Sequence, residues 1–166
     1  MLIARRVREQ RVYSEIHPFN VGTEFVRDFE PSGIILSGGP SSVYDDGAPR
    51  ISREILELGI PVLGICYGMQ LINQHFGGVV RSAGGREYGE TSVDIDPGCA
   101  LFAGLERTQR VLMSHGDSVE RLAGGFRVAG RSRDVVAAIC HSERPIYGVQ
   151  FHPEVDLTEN GRAMLR

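Results

Sequence analysis

Two rhythms of apolar residues alternate along the first half of the chain. In 3–10 (IARRVREQ), 23–29 (TEFVRDF), 49–59 (PRISREILELG) and 67–78 (YGMQLINQHFGG) the apolar positions recur at helical spacing. Pro49 and Gly59 sit near the two ends of the third segment, and Gly77-Gly78 stops the fourth. Between them, 12–16 (VYSEI), 33–37 (GIILS) and 61–65 (PVLGI) are short apolar runs that predict strands, the last buried on both faces. Such alternation predicts an α/β fold, an open, mostly parallel twisted sheet with helices on both faces.

After about Val79 the rhythm changes. Segments 92–96, 110–113, 126–130, 135–140 and 146–151 read as strands with little helix between them. Antiparallel strands are therefore expected to extend the sheet in the second half, and a final helix is expected from about Leu157. No repeat, low-complexity tract or linker divides the sequence, so residues 1–166 read as a single domain.

Composition narrows the partners. The net charge of -3, with Lys and Arg scattered rather than massed, gives no footprint for nucleic acid. No apolar run approaches the roughly 20 residues of a membrane span, and MLIARRVREQ lacks the apolar core of a secretory signal. The cysteines, Cys66, Cys99 and Cys140, are an odd set without CxxC spacing. That argues against a disulfide framework or zinc knuckle and fits a reducing cytoplasm.

Candidate chemistry begins at GICYG, 64–68. It has the G-x-nucleophile-x-G form of a strand–turn–helix elbow, in which the glycines let strand and helix approach closely. Cys66 then stands at the carboxyl end of a strand and at a helix N-terminus, where N–H groups and dipole favour an anion. Cys99 and Cys140 read as buried structural thiols.

A cysteine nucleophile needs a histidine, held in turn by a third group. Of His17, His75, His115, His141 and His152, only the last is read as having a carboxylate at useful spacing. His152 follows the apolar strand IYGVQF, and Glu154 lies two residues on, on the same side of an extended backbone. Pro153 marks the strand end. The competing use of these residues is a metal site of His115, Asp117, His152 and Glu154. The loop ILSGGPSS, 35–42, suits either a phosphate cradle or an oxyanion hole, and a nearby nucleophile favours the second.

Together, LSGGP, GICYGMQ, MSHGD and VQFHPEV, in this order, resemble the class I (triad) glutamine amidotransferases, and the resemblance covers nearly the whole chain. Within that family the CYGMQ and MSHGD forms are most similar to the branch that supplies ammonia to an ATP-pyrophosphatase synthetase converting XMP to GMP. The resemblance implies a flavodoxin-like amidotransferase fold, with Cys66 as nucleophile, His152 as acid/base and Glu154 as its orienter. It implies an oxyanion hole from the backbone N–H groups of Gly39 and Tyr67. Substrate glutamine would be positioned by Gly38, Gln70 and the Ser114-His115-Gly116 segment, with Asp117 beside it. No metal or organic cofactor enters this half-reaction; ATP and Mg belong to the synthetase domain or subunit that is the expected partner. The alternatives are an amidotransferase of the anthranilate, carbamoyl phosphate or CTP type, a glutamyl hydrolase of the same fold, or an inactive interaction domain. Relatives in this family begin with a strand before the helix that opens this chain. The first strand is thus expected to be missing and the chain truncated at both ends, with an oligomer contact or a rearranged sheet compensating.

Overall fold

The computed structural model describes residues 1–82 and 88–166 in full, and residues 83–87 only as part of a strand. In chain order the elements are α1 (Leu2–Glu9), α2 (Thr23–Phe29), β1 (Ile34–Leu36), α3 (Arg53–Glu57), β2 (Val62–Ile65) and α4 (Tyr67–His75). Then come β3 (Val79–Ile95), β4 (Thr108–Arg121), β5 (Phe126–Ser132), β6 (Val135–His141), β7 (Ile146–Val149) and α5 (Gly161–Met164).

The strands form one 7-stranded sheet in the order β1-β2-β7-β6-β5-β3-β4. β1, β2 and β7 run parallel, and the remaining pairings are antiparallel. The antiparallel part is dominated by the long β3–β4 pair. In it the strand expected over 110–113 runs on through 114–117 (SHGD) as part of β4.

All of β2 is buried, and its side chains alternate between two cores. Leu63 and Ile65 join Phe102, Met113, Val149 and Phe151 on one face. Val62 joins Met69, Ile72, Ile139 and Ile146 on the other, the face that α4 covers. Phe102 and Phe151 are completely buried, each worth about 1.5–3 kcal/mol relative to exposure. These two cores hold β2 and β7 side by side, and the carboxyl ends of that pair carry the site.

Two expectations are corrected. Segment 12–16 is not a strand, and Val12, Tyr13 and Ile16 are exposed. β-branched residues make a strand only where a neighbouring strand takes the backbone bonds. Here β1 is the edge of the sheet, and this segment is held instead by Ser14 Oγ donating to Ala4 O and Arg8 Nη2 donating to Ser14 O. The last helix starts at Gly161 rather than near Leu157. Thr158 Oγ1 donates to His152 O (2.6 Å) and accepts from Leu112 N (3.1 Å), which keeps the preceding turn tied to β4. Among the described residues no helix is long and apolar enough to cross a membrane.

Candidate active site

Cys66 is the single residue between β2 and α4, with φ 52 and ψ -107. A non-glycine residue in such a conformation costs about 1–3 kcal/mol, so its surroundings must impose it. The flanking glycines show how. A Cβ on Gly64 would lie 2.5 Å from Gly68 C, and one on Gly68 would lie 2.2 Å from Leu36 O. Strand and helix are therefore in backbone contact on both sides of the cysteine. Cys66 N donates to Val149 O (2.7 Å), while Cys66 O accepts from Met69 N and Gln70 N. The N–H groups of Tyr67 and Gly68 thus lead the helix at the sulfur's end.

His152 approaches the same sulfur from the segment after β7. Its Nδ1 meets Glu154 Oε1 at 2.9 Å, the contact that the spacing of the two residues predicts. Hydrogen bonding to the Cys66 sulfur, and secondly to Glu154, outweighs burial and pushes the imidazole pKa up to about 10. Glu154 is buried, and its Oε2 has no hydrogen-bond partner among the described residues. Gly38 closes the other side: a Cβ there would sit 3.2 Å from His152 Cε1 and 3.4 Å from Cys66 Cβ. A Cβ on Gly39 would meet nothing within 4 Å, so that backbone borders open space.

The remaining predicted residues gather through main-chain groups. Gln70 Nε2 donates to Asp117 O (2.9 Å), and His115 Nδ1 contacts the same carbonyl (2.9 Å). The Cys66 thiol points at Ser114 O, 3.7 Å away. Gly116 lies between these residues in β4. Asp117 thus contributes its carbonyl to both contacts.

Sequence reasoning misses Gln150. It is fully buried, and its Nε2 lies 3.5 Å from Cys66 Sγ while its Oε1 accepts from Gln70 Nε2 at 3.1 Å. The available signal is its position two residues before His152, the same offset that links His152 to Glu154.

Among the other histidines, one needs correction. His17 does have a carboxylate at close spacing, since its Nε2 meets Glu15 Oε2 at 3.0 Å. That pair is away from Cys66, with the ring packed against Phe25 and Phe29. His141 Nδ1 accepts from Glu143 N and Arg144 N. Burial, then Arg53 and Arg50, lowers the His75 pKa. Cys99 and Cys140 are buried free thiols, and burial foremost pushes Cys99 up to about 11. Among the described residues no group of three or more His, Cys, Asp or Glu is arranged to hold a metal ion. A cavity of about 480 Å³ lies beside Arg6, Pro153 and Asn160, and neither Cys66 nor His152 lines it.

A strained cysteine at a helix start, an imidazole against its sulfur and a carboxylate behind the imidazole are the parts of a nucleophilic relay. The chain belongs to the class I glutamine amidotransferases, whose family model matches residues 1–166. More particularly, it is 51% identical over 166 residues to GMP synthase [glutamine-hydrolyzing] of Clostridium tetani, covering 99% of this chain and 32% of that protein. The enzyme of the same name from Lactococcus lactis is 52% identical over 166 residues, with the same coverage, 99% and 32%. The chain thus spans about a third of the length of these relatives. A candidate GMP synthase component from Thermoplasma acidophilum superposes with a TM-score of 0.85 at 32% identity, over 99% of this chain and 83% of that one. A Thermotoga maritima glutamine amidotransferase, at 23% identity, shares the fold with a TM-score of 0.73 over 93% of this chain and 70% of its own.

Proposed function

We propose that the chain is the glutamine-hydrolysing part of a GMP-forming system, releasing ammonia to an ATP-dependent synthetase that aminates XMP. The observation that carries this is the Cys66–His152–Glu154 arrangement on a strained elbow, in a chain half identical to glutamine-hydrolysing GMP synthases.

In this reading the Cys66 thiolate attacks the side-chain amide carbon of glutamine. Negative charge on the amide oxygen is met by the N–H groups of Tyr67 and Gly39; one such donor is typically worth about 2.7–4 kcal/mol of barrier. His152, protonated at rest, gives its proton to the departing nitrogen, and the C–N bond breaks to leave ammonia and a γ-glutamyl thioester. The neutral imidazole then takes a proton from water, which attacks the thioester and releases glutamate and the Cys66 thiolate. Glu154 holds the ring tautomer that presents Nε2 to the reaction. Gly38 leaves room for the amide above the sulfur, and Gln70 with the 114–117 backbone lines the substrate side. No metal or organic cofactor takes part in these steps; ATP and Mg act on the synthetase. The buried free thiols support a reducing, cytoplasmic setting.

The test is reconstitution with the ATP-pyrophosphatase part of a relative, XMP and ATP. GMP should form with glutamine, and Cys66→Ser should abolish glutamine-dependent but not ammonia-dependent synthesis. GMP formation from ammonia but never from glutamine would reject the reading.

A further inference from the structure

The buried amides beneath Cys66 have a direction. Asp117 O is a carbonyl and only accepts, so the nitrogen of the Gln70 side chain must face it, at 2.9 Å. The second N–H of that same nitrogen reaches Gln150 Oε1 at 3.1 Å. Gln150 therefore has its oxygen occupied, and its own nitrogen faces the Cys66 sulfur at 3.5 Å. The side chain of Gln150 is fully buried, and Gln70, itself bonded to Asp117 O, holds its oxygen.

We propose that Gln150 is a catalytic residue, a fixed hydrogen-bond donor to the nucleophilic sulfur, with Gln70 and Asp117 O setting its orientation. The proposal rests on Cys66 being the nucleophile. A carboxamide N–H bonds an anionic sulfur more strongly than a thiol or a thioester. Gln150 therefore assists twice, where the sulfur carries charge: in the resting nucleophile, and when the thiolate leaves the tetrahedral adduct formed by water. It complements His152, which moves a proton, by supplying a donor that never gives its proton up. The residues come from the same segment, 150–154, with Gln150 N bonded to Ala137 O and His152 N to Leu112 O. One stretch of backbone thus aims the donor and the base at one atom. It also gives Gln70 a second role, as the group that orients the donor.

The test is the rate of Cys66 alkylation by iodoacetamide near neutral pH, with ultraviolet thiolate absorbance as a second readout. Gln150→Met keeps the buried volume and removes the donor; it should slow alkylation by about ten-fold and reduce the thiolate signal. Gln70→Met leaves the donor but frees its orientation, and should fall between wild type and Gln150→Met. A folded Gln150→Met that alkylates at the wild-type rate overturns the proposal. If that variant does not fold, Gln70→Met decides, and an unchanged rate and absorbance overturns it equally. Iodoacetamide does not depend on recognition of glutamine. If wild-type Cys66 itself reacts no faster than an ordinary thiol, it is the reading of Cys66 that fails.

Discussion

Adding one methyl group at Gly68 should cripple the site without touching any reactive atom. The Cβ of Gly68→Ala would lie 2.2 Å from Leu36 O, 2.8 Å from Leu36 Cβ and 2.9 Å from Leu36 C. Contacts below 3.0 Å are essentially never made by real Cβ atoms, so α4 and β1 must part by about 0.8 Å at that point. The obstructing atoms are mainly backbone, and no rotamer change relieves them. Overpacking of this kind costs about 1–3 kcal/mol, which for a domain of this size lowers Tm by roughly 2–12 °C. The larger effect falls on chemistry. Cys66 caps the displaced helix, and a misplacement of about 1 Å costs on the order of 10²-fold. Because turnover depends on the synthetase in the proposed system, the assay is the rate at which a glutamine-mimicking diazoketone modifies Cys66, read by intact mass, beside a thermal melt. Gly59→Ala is the control, since it too loses a glycine but has nothing within 4 Å of its Cβ, though its φ of +77 carries a backbone strain of its own. A Gly68→Ala chain that melts like wild type and labels within two-fold of it would refute the argument from backbone contact.

Other expected outcomes follow from the same geometry. His152→Ala should slow Cys66 labelling by about 10²-fold or more and also lower the melt, because Glu154 is left buried without its partner. The interaction of His152 with Cys66 and Glu154 raises its pKa to about 10, so its contribution to stability is complete below the ordinary value of about 6.5 and is lost as pH rises towards 10. Glu154→Gln weakens that interaction, and denaturant titrations should show the gap from wild type narrowing over this pH range; a constant gap would contradict the assignment. Arg6 Nε donates to Glu154 O (2.9 Å) and Nη1 to Glu9 Oε2 (3.0 Å), so Arg6→Met should slow labelling by about ten-fold, with partial recovery in Arg6→Lys. Peptide mapping after mild alkylation at pH 8 should find Cys66 modified and Cys99 untouched until the chain unfolds, because burial pushes Cys99 up to about 11.

The features legible in the sequence were those whose chemistry is local. GICYG announced its elbow because two glycines flanking a cysteine in a strand–turn–helix have few other uses, and both prove to be in backbone contact. The contact between His152 and Glu154 was legible because a carboxylate two residues from a histidine needs no tertiary information to reach it. Gln150 was not, since its meaning depends on Cys66, 84 residues away, and on a second buried amide. The segment VYSEI misled for the converse reason. Its propensity is that of a strand, but a strand is made by its neighbour, and the edge of the sheet is β1. The reach of β3 and β4 was equally hidden, because polar and glycine-containing stretches join a strand when a long partner pairs with them.

The central claim, that Cys66 is the nucleophile of a formed glutamine site, is tested most directly by exposing the folded chain to the diazoketone with and without excess glutamine and mapping the product. A single modification is expected, on Cys66, that glutamine suppresses and Cys66→Ser abolishes. Modification of another residue, labelling that glutamine does not slow, or a folded chain that does not react would contradict it.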